Sequence, residues 1–298
     1  MNKSLYILIP VYNALYYTKK CIENLEIALN HYNLSVNPSM KVTVVVIDDG
    51  STDGTAQWIK KNYPHVVTLK GDGNLFWSAA INMGVSYALD EQCSHILLWS
   101  KDLYIEKDYF LNLDKTISQG KKKTVFASKL YRKNTPDILF SFGGSYNPRT
   151  DKKINIGAGH TDGVDYQKAM KIDWCGGMAV AMPSSFFLEV GYCDDQNFPQ
   201  YDGDTDLFLR AKTQGYQLYV FPELKVWNIH ENTGKKEKYS FKNFLWYLKD
   251  IRSFKNLKIS YKFLKKHSIG AMPYFFFIGR YLSFSTRYFA KMIIYSFK

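Results

Sequence analysis

Apolar runs ended by turn residues alternate with segments of helical period over the first two thirds of the chain. Leu5 to Ile9 (LYILI) is one such run, and Val42 to Ile47 (VTVVVI) is β-branched throughout. A run without alternation suits a strand buried on both faces of a parallel sheet, so Val42 to Ile47 is predicted as a central strand. Between the two, Thr18, Ile22, Leu25, Leu29 and Tyr32 recur at intervals of four and three, which predicts a helix with one buried face and Asn13 as its cap. VVTL (66–69) reads as a short third strand closed by the turn Lys70 to Asn74, WSAAINMGVSYALD (77–90) as a helix, and His95 to Trp99 as a fourth strand. Strands alternating with helices predict an α/β fold with a largely parallel sheet.

Candidate chemistry gathers where these strands end. Asp48 and Asp49 close the central strand, and Gly50, Ser51, Thr52, Asp53 and Gly54 follow as turn and cap for the next helix. An acidic pair there serves equally as a cap and turn or as a ligand site, because open α/β sheets bind ligands beyond the carboxyl ends of their strands. LYILIPVYN and VVVIDDGSTDGT, in order and about forty residues apart, resemble the opening of a family 2 glycosyltransferase with the GT-A fold, a Rossmann-like mixed sheet with helices on both faces. The resemblance implies that Pro10, Tyr12, Asn13, Asp48 and Asp49 cradle the nucleoside of a nucleotide-sugar. A carboxylate can accept the imide N–H of uracil or thymine, or a ribose hydroxyl.

Later segments extend that likeness to about residue 232. GDGNLFWSAAINMG is similar to a subset of the family that includes bacterial rhamnosyltransferases, which implies that Asn74 and Asn82 hold a loop beside the donor and that Gly84 permits close packing. Where the family carries Asp-x-Asp, this chain reads Ser100, Lys101, Asp102. Asp102 is then the remaining hard ligand for Mn²⁺ or Mg²⁺, and Lys101 either neutralises phosphate or faces solvent. In IDWCGGMAVAMP, read as one strand, Gly176 and Gly177 match a Gly-Gly strand start at the donor site. Gly203, Asp204, Thr205, Asp206 resembles an acidic motif opening a helix, and the resemblance makes Asp204 the catalytic base. Gly203 stands in place of an acidic residue, with Asp202 as an out-of-register substitute. Asp206 and Arg210 are spaced to pair along one helix, as helix support or as part of the site. His230, after LKVWNI, matches a family histidine facing the diphosphate or its metal, and imidazole suits Mn²⁺.

Composition changes the picture mainly at the end of the chain. At 298 residues and 46% hydrophobic content, one large domain with an appendage can form. Cys21, Cys93, Cys175 and Cys193 show no metal spacing and read as buried thiols in a reduced compartment. Pro10 and Asn13 interrupt the first apolar run too early for a signal peptide. The formal net charge of +12 lies wholly between Glu231 and Lys298, where fifteen Lys and Arg face three acids. A single-sign patch of this kind points to an anionic partner surface. The apolar run from Ile269 to Gly279 contains Pro273 and stops at Arg280, too short for a membrane span. Arg280, Arg287, Lys291 and Lys298 share one helical face, which fits a helix lying on anionic lipid and also a helix packed on the main domain with solvated lysines.

The expectation is a GT-A domain over residues 1–232 with a basic aromatic helical tail over 233–298. The implied activity is inverting transfer of a hexosyl or deoxyhexosyl unit from a UDP- or dTDP-sugar to a glycan or lipid-linked glycan, in cell-surface polysaccharide synthesis at the cytoplasmic membrane face. A catalytically reduced nucleotide- or glycan-binding relative is the alternative raised by Ser100 and Lys101. Nucleic acid is excluded as a partner, because the basic charge is confined to the tail and no DNA or RNA motif precedes it. A sugar nucleotidyltransferase would carry a glycine-rich, Arg-containing N-terminal loop that this chain lacks.

Overall fold

β1 (Lys3–Val11) and β2 (Met40–Asp48) pair in parallel along their whole lengths, joined by α1 (Leu15–Asn33). The computed structural model describes residues 3–35, 38–229 and 239–296. After β2 come α2 (Thr55–Asn62), β3 (Val67–Lys70), α3 (Phe76–Asp90), β4 (His95–Leu98), β5 (Leu103–Ile105) and α4 (Tyr109–Gln119). The β-branched run of β2 contributes Val44 and Val46 to the core shared with α1, and Val45 and Ile47 to the core shared with α3. Both faces are covered by helices, so no polar residue alternates with the apolar ones. Gly84 lets α3 lie close to the sheet, since a Cβ there would come within 2.9 Å of Ile47 and 3.2 Å of Leu8.

Two local readings are corrected. Burial on both faces does not make β2 central, because the strand order β3, β2, β1, β4 leaves only β3 outside it. Nor does Asn13 cap α1. Its Oδ1 accepts a hydrogen bond from the Thr52 amide (2.8 Å), while the N–H of Leu15 donates to Asp53 Oδ2 (2.8 Å) from the neighbouring turn. The strand pairing brings Asp53 to the helix end, so an aspartate thirty-eight residues away does what a local asparagine was expected to do.

The sheet then turns mixed. β6 (Thr124–Arg132), β7 (Thr135–Ser141), the hairpin β8 (Gly144–Asn147) with β9 (Lys152–Asn155), β10 (Met170–Ile172) and β11 (Val180–Pro183) follow, then α5 (Ser185–Val190), α6 (Gly203–Thr213) and β12 (Gln217–Asn228). Beyond β4 the order continues β11, β6, β12, β10, with β11 antiparallel to both its neighbours and β12 parallel to β6. IDWCGGMAVAMP is therefore two strands. β10 ends at Ile172, β11 begins at Val180, and Gly176 and Gly177 lie in the turn between them rather than at a strand start. Lys129, in the middle of β6, is fully buried and tolerated because its ammonium meets Asp162 (2.6 Å) and the Tyr166 carbonyl (2.8 Å).

The tail forms α7 (Phe241–Lys249), α8 (Leu257–His267) and α9 (Met272–Ser296). Ser240 and Asn256 cap α7 and α8 by accepting from the amides of Asn243 and Ile259. The tail is docked: Ile259 and Phe263 pack on Phe198, and Arg280 pairs with Asp151 (2.7 Å). The expected boundary at 232/233 falls within 230–238, outside the described residues. Among the described residues no helix is long and apolar enough to cross a membrane.

Candidate active site

A cleft of about 500 Å³ opens beyond the carboxyl ends of β1 and β2, and its lining includes Pro10, Tyr12, Asp49 and Lys101. Tyr12 stands at the mouth, 55% exposed, where its ring can stack on a planar group. Asp49 is buried and committed to the turn after β3: Oδ1 accepts from the Gly73 amide (2.8 Å), and Oδ2 from the amides of Leu75 (3.0 Å) and Phe76 (3.3 Å). Those bonds hold Phe76 at φ 53°, an unusual backbone for a bulky residue, on the cleft wall. Asp48 Oδ1 accepts from the Ser51 amide (2.9 Å) and shapes the turn on the other side.

Three further walls were not expected from the sequence. Trp77 lines the cleft and lies on Gly177, where a Cβ would come within 2.1 Å of the indole. Gln200 comes from the loop before α6, and Asp250, Ile251 and Arg252 from the link between α7 and α8. Arg252 is clamped by Asp250 through two hydrogen bonds of 3.0 and 3.1 Å, with its side chain 68% exposed. The sequence hint was Asp250 itself, the last acidic residue of the chain, set two positions before an arginine.

Neither Asn74 nor Asn82 is among the residues that line this cleft. Asn74 is exposed, with its amide bonded to Asp72. Asn82 exchanges two 2.9 Å hydrogen bonds with the backbone of Cys193 and so fastens the loop before α6.

At the turn from Ser100 to Asp102, Ser100 Oγ donates to Asp102 Oδ1, and the Asp102 carbonyl accepts from the Ile229 amide (3.1 Å). This brings the chain immediately before His230 to that turn, while His230 itself lies outside the described residues. No cluster of three potential ligands is present among the described residues. The donor set still fits a hard cation that takes most of its oxygens from phosphate and water, with Asp102 as the protein ligand.

Asp204 sits in the first turn of α6. Its Oδ2 accepts from the Gly177 amide (3.0 Å) and its Oδ1 from the Thr205 amide (2.7 Å). Burial pushes its carboxyl above the usual range, and these two bonds only partly offset that. Gly177 thus links the two parts of the site, touching Trp77 of the cleft on one side and Asp204 on the other. Gly203 is explained by space, since a Cβ would come within 2.3 Å of Ser78 Oγ and 2.9 Å of the Phe198 carbonyl. Asp202 is the N-cap residue at φ 66° and pairs with Lys153.

Asp206 points elsewhere. It is fully buried and meets Arg210 (2.9 Å), Lys266 (2.7 Å) and His267 (2.8 Å). Burial alone would raise its pKa, but the bonds from His267, Lys266 and Arg210 outweigh this and hold it at about 2. Asp206 is the point where α8 of the tail is fastened to α6.

The chain is similar to glycosyltransferase GlyA of Streptococcus pneumoniae serotype 4, with 26% identity over 155 residues. That match covers 50% of this chain but only 20% of the relative. Among solved structures, GalNAc-T7 with UDP, GalNAc and Mn²⁺ matches over 96% of this chain and 58% of its own, with a TM-score of 0.60 at 12% identity. A mannosyltransferase of Pyrobaculum calidifontis in complex with GDP-Man and Mn²⁺ matches over 91% of this chain and 66% of its own (TM-score 0.54, 13% identity). Staphylococcus aureus TarS 1–349 matches over 76% and 60% (TM-score 0.52, 14% identity). These likenesses establish the GT-A fold. The model of the glycosyl transferase family 2 matches residues 6–173, more than half of the chain, and this protein belongs to that family.

Proposed function

We propose that this protein transfers a hexosyl or deoxyhexosyl unit, with inversion, from a UDP- or dTDP-sugar to a glycan or lipid-linked glycan acceptor in cell-surface polysaccharide synthesis. The observation that carries the reading is Asp204, a half-buried carboxylate with raised proton affinity, joined through Gly177 to the wall of the cleft. In a single displacement the acceptor hydroxyl loses its proton as it attacks the anomeric carbon opposite the departing nucleoside diphosphate. Asp204 takes that proton. At the first turn of a helix the dipole favours the ionised carboxylate, while burial keeps it basic enough to accept.

Tyr12 and the turn held by Asp48 and Asp49 receive the nucleoside, with Pro10 and Asn13 setting the floor of that turn. Lys101 and Arg252 supply positive charge to the diphosphate from opposite parts of the chain. A Mn²⁺ or Mg²⁺ ion held by Asp102 and the phosphates would add Lewis-acid stabilisation of the leaving group. Gly176 and Gly177 leave room between the donor wall and the base.

The tail is proposed to attach the enzyme to the cytoplasmic face of the membrane. Phe275, Leu282 and Ile293 of α9 are 70%, 62% and 56% exposed, and the helix also carries Arg280, Arg287 and Lys291. Exposed apolar and basic positions on one helix are the chemistry of interfacial attachment.

A thermal-shift panel of nucleotide-sugars with and without Mn²⁺ tests the donor assignment. A UDP- or dTDP-sugar should raise the melting temperature, more so with Mn²⁺, and no response to any nucleotide-sugar would remove the reading. The substitution at the metal turn also favours a second reading, a binding protein of reduced activity. Donor binding without any transfer in the presence of metal would select it.

A further inference from the structure

Outside the donor cleft, a second cleft of about 650 Å³ runs between α7, the Phe254–Lys255 segment and α9. Its floor is aromatic, with Phe284 and Tyr288 among its members, and four cations reach it: Lys255, Arg280, Arg287 and Lys291. Among the described residues no carboxylate lines it. Only Arg280 among the four has an ion pair within the described residues, to Asp151. Burial and the neighbouring Arg280 push the Lys255 ammonium below its ordinary range. A concave site with this excess of positive charge is complementary to an anion.

The helix that forms its edge says which anion. Along α9, Phe277, Phe284 and Tyr288 face inward, Arg280, Arg287 and Lys291 follow one flank at intervals of seven and four, and Phe276 and Ile294 are exposed on the next, from which the exposed apolar surface continues to Phe275, Leu282 and Ile293 on the far side. The cationic cleft therefore borders an apolar stripe open to the surroundings. A free phosphate would use the cations and leave the stripe unaccounted for, whereas an anionic lipid uses both, its headgroup at the cations and its chains beside the stripe.

We infer that the cleft between α7 and α9 is a specific binding site for the phosphate headgroup of an anionic membrane lipid. This rests on the membrane attachment proposed above and sharpens it from a diffuse attraction to a defined pocket. Titration calorimetry on the full chain with short-chain phosphatidylglycerol, kept monomeric below its micelle concentration, reads the site without a bilayer. Saturable binding is expected, with much weaker binding of short-chain phosphatidylcholine and of inorganic phosphate. Arg287→Gln with Lys291→Gln should weaken it at least tenfold, while Lys258→Gln with Lys265→Gln, removing the same charge from exposed positions on α8, should leave it within about twofold. If the double variant misfolds, Arg287→Gln alone carries the same test with a loss of about fivefold.

Equal effects of the two pairs, equal binding of phosphatidylcholine, or phosphate binding as tight as the lipid would each overturn the pocket. Sedimentation with phosphatidylglycerol vesicles reads the membrane attachment separately. Wild type that sediments with vesicles but shows no saturable monomer binding would defeat the pocket and leave the attachment standing. Monomer binding without sedimentation would do the reverse.

Discussion

The turn after β2 and the start of α6 each present a pair of aspartates, and the two pairs are built in opposite ways. Asp48 and Asp49 are spent on backbone amides that fold the donor-side turns. At α6 the labour is divided. Asp206 is buried against Arg210, Lys266 and His267 and held far into its ionised form, while two residues earlier Asp204 accepts from two amides and a hydroxyl, meets no cation at hydrogen-bond distance among the described residues, and is left with a raised affinity for protons. A carboxylate surrounded by donors is a structural anchor, and the one whose charge is least compensated is fitted to move a proton. Position in a motif does not separate the two, whereas the surroundings do.

The sharpest way to break this contrast is Asp206→Ala. Removing the carboxylate leaves Arg210, Lys266 and His267 facing one another, and should destabilise the fold by about 3 kcal/mol, at the low end for a buried pair because the cations keep partial access to water. Urea unfolding measures it, and a change below about 1 kcal/mol would mean that Asp206 does not anchor α8. The pH dependence should follow. A carboxyl near 2 in the folded chain and about 4 when unfolded stabilises fully above pH ~4, and that contribution is lost as the pH falls through about 2. The variant should lack this part of the acid transition.

A smaller effect is expected at the donor cleft. Arg252→Ala should raise the donor KM about tenfold, the equivalent of one charge-assisted hydrogen bond, with kcat changed less. Steady-state kinetics decides it. An unchanged KM would show that the tail loop borders the cleft without touching the donor. The smallest effect is assigned to Asn82→Ala, which loses the two bonds to Cys193 and should lower stability by about 1 kcal/mol with donor affinity intact. A selective loss of donor binding would instead place Asn82 in the site.

These differences also mark what the sequence could disclose. The β-branched run of β2 and the buried face of α1 are local patterns, each carried by residues within one element, and both are legible. The acidic turns and the start of α6 are equally legible as motifs. The mixed half of the sheet is not, because β6 and β12 pair in parallel with Thr124 opposite Gln217, and no local period encodes such a partner. The cap of α1 by Asp53, the space that demands glycine at 203, and the arrival of Arg252 at the cleft all depend on chain segments meeting only after the sheet has formed. Asp206 was expected beside Arg210, but Lys266 and His267 come from a tail whose docking its composition did not disclose.

The central claim is that Asp204 removes the acceptor proton. Single-turnover transfer by Asp204→Asn, with donor occupancy titrated in the same samples, tests it most directly. The account predicts donor affinity within about twofold of wild type and transfer slower by at least about a thousandfold, since only proton removal is lost. In wild type the rate should fall as the pH drops through a value above the ordinary carboxylate range. A variant that transfers within tenfold of wild type would contradict the assignment.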